Sequence, residues 1–521
     1  MGDSEPLTSW PLADWRLLLP LEPGCRVAFV PAATAAERRV LVEAGATVLD
    51  LRERTSPASV DVLVVEGGHD VDASLPALAP GGFLLERLDG GPLRRLRRSV
   101  SSRRSPVRHL RRIVTLWHAP RRSRCSYVVD TRDRTAVDAM LRRFAGVRFG
   151  RVKSLVARGL NAVGAVALLA ADVTVVSQRL DGAEPPRSLG LLPRELETEL
   201  APPGIPLSRL LITPWFEASR HVIGLYLHSG RGTPLAVAKV PRRPWDVDGI
   251  AHEAEVLDRL ASTDRADGRA PRVRGVSLAP RPYLLEDALI GTPAGPELVR
   301  SSGVRLLEAA VALVDGLPLT GSTSDESDWF QRLLVRPLHE VRDRVALPEV
   351  EGLVHETLDR LDPLASARLP FVLEHGDLSH PNLMLDRDVL RAVDWERSEI
   401  HGLPGHDLCF FLQYVAESRR RTFERHGQRL AFDDAFTHPD GWALPWLRRH
   451  LAHRGVDPRL LPSLILATFA RSSASLLPRV AANARTPGGD ATAGLVAAAF
   501  AEDRDFALWS HAARRFLQLG T

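Results

Sequence analysis

Between residues 371 and 396 two apolar runs, FVLEHGDL and VLRAVDWE, interrupt a chain that otherwise reads as helical from residue 297 onward. Both runs have the length and the residue types of strands. VLRAVDWE suits a strand that presents a carboxylate, Asp394, at its end, and the preceding stretch supplies His375, Asp377 and Asn382. Four polar groups pinned between strand-like runs restrict this half of the chain more than any compositional average does.

The set meets much of the short parts list of phosphoryl transfer. That chemistry needs a carboxylate to accept the proton of an attacking hydroxyl, oxygen ligands for a hard metal ion, and cations on the phosphates. Asp377 precedes Asn382 by five positions, the Asp-to-Asn spacing of the protein-kinase catalytic loop. Magnesium prefers one or two carboxylates plus phosphate oxygens to a full protein cage, so Asn382 and Asp394 are a sufficient set. Singly, each residue is better read as a turn cap or a strand end; the order and spacing of the set favour the chemical reading.

HGDLSHPN followed by VDWE resembles the aminoglycoside phosphotransferase and choline-kinase-like family of small-molecule kinases, over about residues 205 to 521. The resemblance implies a bilobal protein-kinase-like fold, ATP and Mg2+ as cofactors, and transfer of the gamma-phosphate to a hydroxyl of an aminoglycoside, sugar or amino-alcohol type of molecule. Carried over residue by residue, Asp377 is the catalytic base, Asn382 and Asp394 bind magnesium, His375 supports the loop, and Asp407 in GLPGHDL braces it from the next helix.

The same resemblance implies a strand lysine and a helix glutamate upstream. Of 68 Lys plus Arg only Lys153 and Lys239 are lysine, a bias that reflects arginine-rich codon usage and makes a retained lysine worth attention. Lys239 lies on LAVAKV, and Glu253 follows 14 residues on in HEAEVLDRL. That order suits a lysine on the α and β phosphates whose ammonium the glutamate holds. Glu255 competes for the role, and the E-A-x-x-L-x-x-L frame favours Glu253. LLEDAL, 284 to 289, becomes the hinge strand, with the backbone at Glu286 and Ala288 holding adenine. No G-x-G-x-x-G precedes Lys239; WFEASRHVIG stands there instead, and Ser219 and Arg220 are the residues expected over the phosphates. Acceptor specificity is expected after Asp407, where Asp433, Asp434 and Asp440 with Trp442 and Trp446 offer an acidic, aromatic neighbourhood to a cationic or sugar-like substrate. A solvated loop over core tryptophans is the plainer account of the same residues.

At 521 residues the chain exceeds one hydrophobic core. Residues 21 to 90 alternate strand and helix: RVAFVPA, the helix TAAERRVLVEAG, ATVLDL, VDVLVVEGG, and ALAPGGFLLERL as a Pro-Gly-Gly turn into a fourth strand. That alternation predicts a parallel, doubly wound sheet. Residues 131 to 171 read as largely helical, ADVTVVSQRL as a closing strand, and the proline-rich stretch after it as a linker with a boundary near residue 200. The expected organisation is an α/β Rossmann-like domain at 1–180, a linker at 181–204, a kinase-like N-lobe at 205–290 and a helical C-lobe at 291–521. HVIGLYLHSGRGTPLAVAKVPRR reads as a hairpin opening the N-lobe. The N-terminal pieces resemble a class I methyltransferase, with ALAPGGFLLERL like its usual L-x-P-G-G segment. A Rossmann-type site needs glycines after the first strand; VPAATAAE has none, and Asp50 alone supports a ribose contact. A degenerate, non-catalytic domain is the expectation.

Charge is unevenly placed. Residues 90 to 160 carry 20 Arg or Lys against 3 Asp or Glu, so +17 of a chain total of +4, leaving −13 elsewhere. RRLRRSVSSRRSPVRHLRRIVTLWHAPRRSR, 94 to 124, has 12 Arg and no acid; it fits an anionic partner or a segment packing on the acidic remainder. Without stacking aromatics, no specific nucleic acid is expected. Cys25, Cys125 and Cys409 form no C-x-x-C pair, the N-terminus has no secretory pattern, and AVGAVALLAA is too short to span a bilayer. A cytoplasmic protein with no transmembrane span is expected. Two other classes compete: a nucleotide-sensing scaffold that docks a partner, and a methyltransferase acting through residues 1 to 180.

Overall fold

The computed structural model describes residues 13–19, 21, 24–51, 57–67, 69–89, 110–119, 126–145, 151–166, 170, 172–180, 189–201, 206–214, 219–263, 268–423, 425–437, 441–478, 480 and 493–520. The chain forms two compact units, the first from residues 1–250 with 274–288, the second from 251–273 with 289–521.

The first unit is built on one twelve-stranded mixed sheet. Its strands are β1 Arg26–Val30, β2 Thr47–Asp50, β3 Val60–Glu66, β4 Leu78–Asp89, β5 Leu110–Ala119, β6 Tyr127–Asp130, β7 Asp172–Arg179, β8 Leu207–Ile212, β9 His221–His228, β10 Pro234–Pro241, β11 Val273–Ser277 and β12 Tyr283–Asp287. They lie in the order β11-β12-β10-β9-β8-β6-β5-β7-β4-β3-β1-β2. β1 pairs in parallel with β2 and β3, and β3 with β4, as the alternation predicts. β7 inserts antiparallel between β4 and β5, and from β6 through β10 every pairing is antiparallel.

The helices of this unit are α1 Ala35–Glu43, the single turn α2 Val71–Ser74, α3 Arg134–Ala145, α4 Arg151–Ala162 and α5 Arg194–Leu200. α1 starts where the sequence says it should. Thr34 and Glu37 form a capping box, the Thr34 hydroxyl accepting the Glu37 N–H and the Glu37 carboxylate accepting the Thr34 N–H.

Three expectations are corrected here. ALAPGGFLLERL is not a turn followed by a strand, because β4 runs through it and absorbs the Pro-Gly-Gly step as a bulge, the pairing with β3 jumping from Val60↔Leu78 to Val62↔Phe83. The stretch expected as a linker holds α5, and its Leu191, Leu192 and Leu200 are buried in the first unit's core. Nor does a compact unit end near residue 200, since β6 pairs with β8 through Tyr127↔Ile212 and carries the sheet across that point. Of the arginine-rich segment 94–124, only 110–119 lie among the described residues, as the interior strand β5.

A buried ion pair ties the start of the chain to the end of β10. Arg242 donates to both oxygens of Asp14, at 3.2 and 2.8 Å, and to the carbonyls of Pro214 and Ser219. Removing one partner of such a pair leaves a charge in a dry site, a loss of about 3–5 kcal/mol. Asp14→Ala is therefore expected to destabilise the first unit by about that amount in urea denaturation, whereas a loss within 1 kcal/mol would deny the pair its structural role.

The second unit takes the C-terminal part of α6 Asp248–Ala261, then α7 Pro296–Gly316, α8 Arg336–Arg344, α9 Pro348–Ala365, α10 His406–Arg420, α11 Arg425–Phe436, α12 Leu444–His453, α13 Leu461–Ala474, α14 Ala493–Glu502 and α15 Arg504–Arg514. Its strands form two small sheets. β13 Thr292–Pro293 pairs with β16 Leu383–Asp386 and that with β17 Val389–Ala392; β14 Leu319–Ser322 pairs with β15 Pro370–Glu374 and that with β18 Glu399–Gly402. One continuous apolar core runs from Leu257 and Leu260 of α6 to Trp509 of α15. Phe432, Phe436 and Phe469 meet in it with ring centroids 5.1–6.1 Å apart. Among the described residues no helix is long and apolar enough to cross a membrane.

Candidate active site

The second unit gathers the opening stretch around two short strand ends. β15 delivers Glu374, His375, Gly376 and Asp377, while the β16–β17 hairpin, registered Leu383↔Ala392, holds Asn382 and Asp394 near its open end. The Val393 N–H donates to the Asn382 carbonyl at 2.9 Å, extending that pairing one step beyond the strands.

His375 is fully buried and joins the two segments. Its Nδ1 accepts the Asp377 N–H at 3.2 Å and its Nε2 faces the Val393 carbonyl at 3.0 Å, so the proton belongs on Nε2. Its ring lies 4.6 Å from that of Trp395. Asp407, in the first turn of α10, accepts the His375 N–H at 2.7 Å and the Gly376 N–H at 2.9 Å. Behind it Arg471 of α13 grips Glu374 with two hydrogen bonds of 2.8 Å.

Burial, and then the neighbouring Glu374 charge, push the Asp407 carboxyl up to about 7, against its two N–H donors. A carboxyl raised in the folded state keeps its proton where the unfolded chain has lost it. Its contribution to stability is then full below about pH 4 and lost as pH rises through about 7. Asp407→Asn, neutral throughout, is expected to remove that part of the slope of stability against pH between those limits; parallel parent and variant profiles would contradict it.

The Asp377 carboxylate is held on both oxygens. Ser379 Oγ donates to Oδ1 at 3.1 Å, and Arg397 Nη1 stands 3.5 Å from Oδ2. Asn382 Nδ2 donates to the Asp377 carbonyl at 3.1 Å, which turns its Oδ1 away from that bond and leaves it for another partner. Asp394 sits in the left-handed region at φ 70°, ψ 65°, unusual for a residue other than glycine. The next N–H, that of Trp395, is fixed by the fully buried Glu253 of α6 at 2.7 Å, and the Trp395 indole donates to the Ala392 carbonyl at 3.1 Å. Glu253 thus secures the turn that presents Asp394, while Glu255 is exposed and pairs with Arg259 at 2.9 Å.

Among the described residues no group of three or more His, Cys, Asp or Glu gathers as a metal cage. The donor chemistry of Asn382 Oδ1 and the Asp394 carboxylate fits magnesium, which completes its shell with water and phosphate oxygens.

The first unit holds the predicted nucleotide-binding residues other than Glu253. Lys239 is buried on β10, opposite Ile223 of β9 and Leu284 of β12. Glu286 lies opposite Val237, and the Ala288 N–H already donates to the Leu235 carbonyl at 3.2 Å, so only its carbonyl is left for a base. Ser219 Oγ donates to the His221 carbonyl at 3.0 Å and Arg220 Nε to Asp246 at 2.8 Å; residues 215–218 lie outside the described residues.

The acidic neighbourhood expected to meet a cationic acceptor is occupied by the chain's own cations. Asp433 bonds His511 at 2.8 Å and Arg515 at 3.4 Å, Asp434 bonds Arg420 at 2.9 Å, and Arg419 and Arg449 lie over Trp442 and Trp446. Asp440 is outside the described residues. Ser379 lies inside the HGDLSHPN motif and Arg397 directly follows VDWE, yet the motif assigns neither a role. Glu374 and Arg471, 97 residues apart, carry no sequence signal of pairing.

Residues 226–444 match the family model described as the phosphotransferase enzyme family. The class that match gives is a phosphotransferase. Solved structures similar to the chain include a thermostable mutant of an aminoglycoside phosphotransferase in its apo form (16% identity, 59% of this chain and 92% of that one, TM-score 0.37). Others are a putative fructosamine-3-kinase from Thermobifida fusca (19%, 54% and 97%, TM-score 0.32) and an ethanolamine kinase from Plasmodium vivax (12%, 60% and 84%, TM-score 0.36). No curated protein matches the chain significantly.

Proposed function

We propose that the protein transfers the gamma-phosphate of ATP to a hydroxyl of a small molecule. The observation that carries this reading is the Asp377 carboxylate, steadied by Ser379 and Arg397 beside Asn382 and Asp394. Asp377 accepts the hydroxyl proton as the acceptor oxygen attacks the γ-phosphorus, the bond to the β-phosphate oxygen breaks, and ADP departs. Asn382 and Asp394 would hold magnesium, which neutralises charge on the phosphates when bound. Lys239 is assigned to the α and β phosphates, and the backbone at Glu286 and Ala288 to adenine. Glu253, expected to hold the lysine, is also assigned the setting of the Asp394 turn, because it takes the Trp395 N–H.

In this reading residues 205–290 form the N-lobe and 291–521 the C-lobe of a kinase-like fold, on which the protein acts without a membrane span. The N-terminal sheet is read as a degenerate methyltransferase-like domain. Its β2-β1-β3-β4 parallel run supports the likeness, while the N-terminus of α1, the ligand position in Rossmann sites, is closed by Thr34 and Glu37 and by Arg87 on Glu37. Asp50 is engaged by Arg38.

The test is ADP release from Mg-ATP across a panel of amino sugars, sugars and amino alcohols. Release that depends on one of these compounds and stops on chelation is expected. Mg-ATP binding with no release for any hydroxyl compound would favour a nucleotide sensor instead.

A further inference from the structure

The helix α4 turns an apolar stripe to solvent. Leu155 and Val156 are 69% and 57% exposed and Val163, just past the helix, 73%. With Gly159 and Ala162, also exposed, they occupy positions i, i+1, i+4, i+7 and i+8, which is one face of a helix. Between Leu155 and Val163 no charged residue interrupts that face. The opposite face is already used: Ala157 and Asn161 are buried, and Asn161 Nδ2 donates to the Arg134 carbonyl at 2.8 Å, locking α4 against α3. Scattered surface leucines and valines are ordinary, but three large aliphatics on one stripe are not scattered.

The surroundings are basic. Residues 131–164 carry eight Arg or Lys and two Asp. Arg142 and Arg158 share the single carboxylate of Asp138, at 2.8 and 2.7 Å, so positive charge remains beside the stripe.

From this juxtaposition we propose that α4 docks the protein on an anionic lipid surface, with Leu155, Val156 and Val163 in the headgroup–acyl boundary and the arginines on lipid phosphates. An apolar stripe beside basic residues is the form of an interfacial helix. A second copy of the chain is a poor occupant, because a symmetric contact would set this basic region against itself. Nucleic acid would use the arginines but has no place for the aliphatic stripe.

The test uses the full chain and sedimentation with phosphatidylcholine vesicles, with or without phosphatidylglycerol. Binding is expected only with phosphatidylglycerol, falling as salt rises. Leu155→Asp with Val163→Asp is expected to weaken it at least about tenfold without lowering the melting temperature, since both side chains are exposed. Arg142→Gln with Arg158→Gln should weaken it as well. No binding to anionic vesicles, equal binding by the aspartate variant, or a self-association that this variant abolishes would each overturn the proposal. None of these readouts depends on ATP.

Discussion

Asp377→Asn is expected to lower acceptor-dependent ADP release by about 10²–10⁴-fold, the usual worth of a positioned general base. The reason lies in what the amide keeps and what it loses. Ser379 can still donate to the oxygen of the side chain and Asn382 to the backbone carbonyl, so the loop geometry survives. The capacity to take the hydroxyl proton does not. Stabilisation by Mg-ATP should persist in a melting experiment, because Asp377 is assigned no nucleotide contact. A variant that turned over acceptor within threefold of the parent would remove Asp377 from the mechanism. One that no longer melted cooperatively would have tested the fold and not the base, and Asp377→Glu, which keeps the charge but moves it, would then decide by its own loss of rate.

A large structural effect is expected from Gly376→Ala. Gly376 has φ +80°, and an added Cβ would lie far inside van der Waals contact with the Arg397 carbonyl oxygen, a backbone atom that cannot swing aside. Its N–H is also fixed by Asp407 at 2.9 Å, so the glycine cannot retreat without breaking the brace. Left-handed strain and the overlap together amount to about 2–5 kcal/mol. Gly455→Ala makes the control, with φ +69° and open space around its Cβ; it should lose only the backbone cost of about 1–2 kcal/mol. Urea denaturation of the pair measures the difference. Equal losses would mean that Arg397 does not press on the loop that carries Asp377.

The candidate site was readable in the sequence because its members lie within 22 residues on short paired strands, where local spacing is nearly spatial order. Ser379 was in view there and Arg397 stood one position beyond, and both escaped only because the motif gives them no role. Glu374 and Arg471 could not be read, since a helix residue 97 positions away meets the loop through packing alone. The same logic divides the fold. β1 to β4 follow from local alternation, whereas β6↔β8, which joins stretches expected to be separate domains, is a pairing that only the assembled sheet specifies. The proline-rich stretch misled because prolines mark loops without revealing that α5 and Leu191, Leu192 and Leu200 pack between them. Asp433 and Asp434 looked like free acids, and only tertiary contacts with His511, Arg515 and Arg420 show their charge already matched.

Phosphorus NMR of the protein with Mg-ATP and its accepted hydroxyl compound tests the central claim most directly. A new phosphomonoester resonance growing in step with ADP is expected, and neither signal with Asp377→Asn. Inorganic phosphate in place of the ester, or ester formation undiminished in the variant, would contradict it.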